Sequence, residues 1–298
     1  MLVQRVLANL TRQTRRIADL QEQLATGQRV NKLADDPLAA RRAVRARAES
    51  AAVSQYLDSI NNARPWLADT ETTVRTAVDV INRAHELALQ GANQTNAQEQ
   101  RNALAEEVNQ LLEQLLALGN RQTNGRYLFG GTRTDVAPYD ATRNGVGEIT
   151  AVTYLGNEER IMVPISEGVS VPTNEPGAGV FSPGTNGSAD LFTTLISLRD
   201  DLRAGNFTGI QSGLSALDDG RTQLLNTLAR LGAVQNRLDL TDQNLQDIRL
   251  TLQQVISDNL DADFAETVLQ LNAQTNAYQA ALNASARVIQ PSLLDFIR

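Results

Sequence analysis

The chain has 298 residues, an ordinary apolar share of 42% and a net charge of −7, enough for one large domain or two to three small ones. It holds no cysteine, one histidine (His85) and one lysine (Lys32) among 27 basic residues. That excludes disulfide scaffolds, thiol nucleophiles, zinc fingers, iron–sulfur sites and multi-histidine metal clusters, and the acidic balance argues against a nucleic-acid partner.

The first predicted element is a helix with one narrow apolar seam. Val3, Leu10, Ile17 and Leu24 recur every seven residues, with Val6 and Leu20 between them. Arg5 and Arg12 interrupt these apolar residues, so no cleavable signal is expected. The chain reads as cytosolic, or as exported without one. Gly27 closes the helix as its C′ residue.

Asp36-Pro37 then reads as a helix start, with Asp capping free N–H groups and Pro at the first helical position. Val53, Ile60, Leu67, Val74, Ile81 and Ala88 continue the repeat of seven, supported by Leu57 and Val78. Pro65 falls inside this pattern and is expected to kink or break it. Arg41, Arg42, Arg45 and Arg47 read as a solvated or salt-bridged surface, and His85 as a half-buried or interface residue. After Gly91, Thr95 with Gln98 or Asn96 with Glu99 reads as a capping box, and the next helix carries Leu104, Val108, Leu111, Leu115 and Leu118.

The middle of the chain, 124–190, is rich in glycine and proline. Ile149–Leu155 and Arg160–Ile165, separated by Gly156-Asn157, predict one hairpin. Gly125-Arg126-Tyr127-Leu128-Phe129-Gly130-Gly131 reads as a tight turn or hairpin that packs its aromatics, not as a phosphate loop. Helical pattern returns with Ser188 as N-cap. Leu217, Leu224, Leu231, Leu238, Leu245 and Leu252 then place six leucines at strict spacing of seven. A last helix carries Phe264, Val268, Leu271, Tyr278, Leu282, Ile289 and Phe296 on one stripe, weakened by Thr275 and Ser285.

The fold class is therefore mainly α with a small β-rich insertion: an elongated antiparallel bundle of long N- and C-terminal helices. Five segments are expected. Residues 1–37 and 258–298 are assembly segments, 38–123 and 191–257 the two halves of a helical rod, and 124–190 the hairpin and insertion. Residues 1–50 carry a net +5 and residues 239–298 a net −5, which favours pairing of the ends. Each terminal seam is narrow and marginal alone, so the ends are expected to become stable only when copies pack together. No catalytic, cofactor-binding or metal site is expected: Asp35-Asp36 lacks further ligands, and no nucleophile motif accompanies His85. No stretch approaches 18 apolar residues without charge, so no membrane insertion is expected.

Two stretches carry a family resemblance. Thr26-Gly27-Gln28-Arg29-Val30-Asn31, followed by Asp35-Asp36-Pro37-Leu38-Ala39-Ala40, resembles the N-terminal signature of the flagellin superfamily. Asn124–Tyr139 resembles the motif of its hook-associated branch, with Gly125, Arg126, Tyr127, Leu128, Phe129 and Gly130 at its centre. Flagellins proper usually lack the Pro after Asp-Asp. Leu293–Arg298 sits where the family ends its last helix, Ala34 stands where a Ser often precedes the Asp pair, and the chain opens without the short lead usual before the first helix.

The resemblance implies a flagellin-like fold whose terminal helices form the inner layer of an axial tube, and the role of a structural adaptor between hook and filament. It implies partners as well: flagellin, the hook-proximal junction protein, further copies in a ring, and an export chaperone on the C-terminal helix. It implies an extracellular location in the flagellum, reached unfolded through the type III channel. A minor flagellin and a non-flagellar coiled-coil interaction protein are the alternatives.

Overall fold

The structure is a computed structural model describing residues 2–182 and 189–289. Helix α1 (Leu2–Thr26) is followed by α2 (Pro37–Gly91) and α3 (Gln98–Gly119). Short strands β1 (Gln122–Thr123) and β2 (Arg126–Tyr127) come next, then β3 (Tyr139–Arg143), β4 (Ile149–Tyr154), β5 (Met162–Ser166) and β6 (Val169–Pro172). Helices α4 (Leu191–Ala204), α5 (Phe207–Leu260) and α6 (Phe264–Ile289) complete the described chain. Two compact units emerge: Met1–Ser54 with Gln246–Arg298, and Gln55–Leu245. The mainly α class with a β-rich insertion is the observed one.

Within the unit Gln55–Leu245, the seven-residue stripes of α2 and α5 are the core. Ile60, Leu67, Val74, Ile81 and Ala88 are buried, as are Leu217, Leu224, Leu231, Leu238 and Leu245. Polar ties at the edges of the stripes fix the direction. Arg64 Nη2 lies 2.9 Å from Asp239 and 3.3 Å from Asp242, Gln235 donates to Glu71 at 3.0 Å, and His85 Nε2 lies 3.7 Å from Asp218. Rising numbers on α2 meet falling numbers on α5, so these segments run antiparallel. His85 is half-buried.

Pro65 does not break α2. An interior proline costs about 3 kcal/mol, but Ile60, Ala63 and Leu67 around it are all buried. Each large aliphatic returns about 1.5–3 kcal/mol on burial, so packing outweighs the lost hydrogen bond.

Three other local expectations are corrected. The cap of α3 is Ala97, not Thr95 or Asn96: Gln100 Oε1 accepts from Ala97 N at 3.2 Å, while Asn93 Oδ1 already holds Thr95. The cap of α4 is Asp190, which accepts from Phe192 N and Thr193 N; Ser188 lies outside the described residues. The predicted single hairpin is two. β4 pairs antiparallel with β3, and β5 with β6. Asn144 explains the first, because its Oδ1 accepts from both Val146 N and Glu148 N and so closes a turn between β3 and β4. Gly156-Asn157, which reads as a turn, is instead a docking point for the segment around Gly130.

The two faces of α5 respond differently to truncation. Leu231 is 1% exposed and Leu240 69% exposed. Leu231→Ala is expected to cost about 2–5 kcal/mol and Leu240→Ala about 0.5 kcal/mol or less, measured by urea unfolding of the full chain. Equal losses would contradict the assigned core.

Candidate assembly surfaces

In the unit Met1–Ser54 with Gln246–Arg298, the turn after α1 is set by local chemistry. Gly27 adopts φ +70° and its N–H reaches Gln23 O at 2.8 Å, the left-handed helix end that glycine allows. The chain then pairs with the turn after α5: Arg29 N donates to Leu260 O at 2.6 Å and Ala262 N to Gly27 O at 2.9 Å. Both aspartates of the motif act as caps. Asp35 Oδ2 accepts from Asn31 N at 3.0 Å and Lys32 N at 2.8 Å. Asp36 Oδ1 accepts from Ala39 N at 3.0 Å and Leu38 N at 3.2 Å, and Pro37 opens α2. The Ala39 N–H, with Arg29 nearby, holds the Asp36 carboxyl below the usual carboxylate range. The single lysine closes the loop back onto α1: Lys32 Nζ lies 2.8 Å from Glu22, which raises the ammonium. Behind the caps, Val30, Ala39, Ala40, Ala43 and Leu260 are buried together, with Ile256 against them.

Helices α1 and α6 pack against each other antiparallel. Leu20 and Gln23 share a recess with Gln270, and Val6 and Leu10 share another with Ala281 and Ser285. Of the predicted seam, Leu20 is buried, whereas Val6, Leu10, Ile17, Leu24, Val268, Leu271 and Tyr278 are half-buried. Phe264 is 66% exposed and Leu282 41% exposed, so neither is covered within one copy. The side chains of Val3 and Ile289, and all of Phe296, lie outside the described residues. Gln13 sits on the same seam with its Oε1 buried and unpartnered, a defect of about 1–3 kcal/mol. Leu7 and Leu269 add further exposed apolar surface on these two helices. The pair therefore stays largely unsatisfied by its own chain.

In the unit Gln55–Leu245, the second motif folds as a tight hairpin and a buried anchor. Asn124 (φ 51°) and Gly125 (φ +76°) form a two-residue turn between β1 and β2. Arg126 is exposed and Tyr127 half-buried, whereas Leu128 and Phe129 are fully buried. Phe129 meets Phe181 edge to face at 4.9 Å, and Tyr139 lies 4.9 Å from Phe192 and 5.2 Å from Tyr154. The Phe129 carbonyl accepts from Gly177 N and from the Tyr154 hydroxyl, both at 2.8 Å. Gly130 O accepts from Asn157 N at 3.2 Å, and a Cβ at Gly131 (φ +68°) would sit 2.1 Å from Asn157 Oδ1. Burial pushes the Tyr154 phenol up to about 12 and Tyr139 well above its ordinary value, so both stay protonated at physiological pH. The motif is an anchor for both hairpins rather than a binding loop.

Ion pairs fasten the β3–β4 hairpin to the helices. Arg203 bridges Glu148 and Glu106, each at 2.6 Å, and Arg143 pairs with Glu113. Arg199, almost fully buried, donates to Asn109 at 3.0 Å and to Ile149 O at 2.8 Å. A second buried charge, Glu175, lies 3.2 Å from Arg160 and 3.5 Å from Arg230. Sequence reasoning missed both. Arg199 had a signal, since it follows Leu191 and Leu195 at i+8 and i+4 on the apolar face of α4; Glu175, in a loop, had none. Among the described residues no three His, Cys, Asp or Glu side chains are grouped to hold a metal, and no helix is long and apolar enough to cross a membrane.

Residues 1–134 match the family model of the bacterial flagellin N-terminal helical region, and residues 214–297 that of the C-terminal helical region. The chain is 29% identical over 285 residues to the flagellar hook-associated protein 3 of Escherichia coli, covering 88% of this chain and 87% of that protein. It is 28% identical over 299 residues to the protein of the same name from Salmonella typhimurium, covering 96% and 93%. Among solved structures, a putative flagellar hook-associated protein from Vibrio parahaemolyticus superposes with a TM-score of 0.67 at 25% identity, covering 76% of this chain and all of that one.

The Arg203 clamp has a pH signature. It holds Glu148 at about 2 against an ordinary 4.5, so its contribution is complete above 4.5 and is lost as pH falls towards 2. The melting-temperature gap between the natural chain and Glu148→Gln is expected to be constant near neutrality and to close through that acid range. A gap independent of pH would contradict the clamp.

Proposed function

We propose a role that proceeds from kinship: the chain belongs to the flagellin family, and it serves as a structural adaptor of the bacterial flagellum that joins hook to filament. The observation that carries this reading is the α1–α6 pair, whose apolar seam is only half covered by its own chain. Such a surface suits a protein that gains order by packing against copies and neighbours. Two relatives that share most of its length, at 29% and 28% identity, bear the hook-associated name. The Asn124–Tyr139 motif, buried as an anchor, supports the same branch.

On this reading residues 1–37 and 258–298 are the assembly segments, 38–123 and 191–257 the helical halves, and 124–190 the insertion. The partners are flagellin on one side, the hook-proximal junction protein on the other, and further copies in a ring. An export chaperone holds the C-terminal helix before the chain leaves the cell without a cleaved signal. The chain carries no catalysis; its work is mechanical. A minor flagellin would share the fold but would polymerise alone into long filaments when purified.

An in-frame deletion tests the role. Hooks are expected to form and flagellin to be secreted without polymerising, scored by electron microscopy and by flagellin in the culture medium. Normal filaments in the deletion strain would overturn the reading.

A further inference from the structure

Among the described residues, the opposite charges of the two chain ends do not pair with each other within one copy. Among the described residues, of the ten cations in residues 1–54 only Arg29, Lys32 and Arg45 have a carboxylate partner, and those partners, Asp36, Glu22 and Glu49, lie on the same N-terminal segment. The carboxylates of residues 246–289 are held locally: Asp258 accepts from Gln254, Asp261 from Ser257, Asp263 from Glu266 N and Glu266 from Gln270. Among the described residues none of them, Asp247 included, meets an arginine. The ends pack, but their charges stay open to solvent.

These charges lie on two defined faces of one unit. At the start of α2, Ala39, Ala40, Ala43 and Ala46 are buried. At 100° per residue, Leu38, Arg41 and Arg45 occupy the opposite face with Arg42 at its edge, and all four are exposed. At the end of α5, Leu245, Leu252 and Leu260 are buried. The opposite face there carries Asp247, Thr251, Gln254 and Asp258, again all exposed. Each charged row has an exposed aliphatic beside it: Val44 and Leu38 flank the arginines, and Leu250 flanks the aspartates. A basic row and an acidic row, each with an apolar border, are complementary in sign and in desolvating character.

We propose that the α2 arginine face of one copy docks on the α5 aspartate face of the next, a head-to-tail contact between copies of this chain. Like faces repel, so a two-fold contact through either row is disfavoured. A contact between different faces of successive copies generates rings or helical arrays, the geometry a junction layer needs. This contact rests on the adaptor reading and adds to it which surface meets which.

The absence of native cysteine makes the test direct. Full-length Ala48→Cys, beside the arginine row, and Thr251→Cys, on the aspartate row, are mixed at high protein concentration and low salt and then oxidised. The mixed disulfide dimer is expected to exceed either same-variant dimer by about tenfold and to fall by about tenfold at ~0.5 M salt. Adding Arg41→Glu, Arg42→Glu and Arg45→Glu to the first chain abolishes it. Adding Asp247→Arg and Asp258→Arg to the second chain as well restores it, which separates lost complementarity from misfolding. No mixed dimer, equal amounts of all dimers, or a yield indifferent to salt would overturn the contact. The two readings fail separately: normal filaments in the deletion strain with an intact mixed dimer sinks the adaptor role alone, and a deletion phenotype without the dimer sinks the contact alone.

Discussion

Two apolar stripes, repeating every seven residues on α2 and α5, must be covered, and the rest of the unit Gln55–Leu245 is arranged around their burial. The repeat of seven keeps one face of each helix turned to its neighbour over many turns. The ties from Arg64 and Glu71 to α5 lie along the edges of the stripes and set register rather than supply most of the stability. Because the stripes alone hold the pair, α2 tolerates Pro65 and α5 tolerates Gly220, whose missing Cβ leaves room for Leu191 of α4.

The strands depend on that platform. Three two-stranded sheets of this length are not stable in isolation. They persist because Phe129, Tyr139, Phe181 and Phe192 form one aromatic cluster beneath them, and because Arg199 and Arg203 pin the β3–β4 hairpin to α3 and α4. A burial-rich unit of this kind holds itself together. The unit containing α1 and α6 is built differently: its buried cluster is mostly alanine, its seam is half covered, and among the described residues the basic groups of its first segment do not pair with the acids of its last. The contrast between a satisfied unit and an unsatisfied one is the physical basis for assigning assembly to the chain ends.

What could be read from residues alone followed from locality. The cap at Asp36, the stop at Gly27 and the six leucines of α5 depend on neighbours within a turn or on a strict period, and each stands where the pattern puts it. The strand pairing was misread because Gly156-Asn157 has turn composition. Its partner, the backbone of Gly130, comes from a segment that only folding brings close. Asp190 displaced Ser188 as cap because its carboxylate reaches two N–H groups of α4, a choice composition does not decide. Phe129 was legible as a packed aromatic, but not as the acceptor that fastens β4 and the Gly177 loop. That Leu20 would be buried while Phe264 stays exposed within one copy was not legible in the spacing.

In the proposed assembly, α1 and α6 acquire their stability from neighbouring copies while the unit Gln55–Leu245 has its own. Amide hydrogen exchange on the purified monomer and on the assembled protein compares the two regions in one experiment. The account expects α1 and α6 amides to exchange many-fold faster than those of α2 around Val74 and α5 around Leu224 in the monomer, and to become protected on assembly. Equal protection of α1, α6 and the α2–α5 core in the monomer would contradict it.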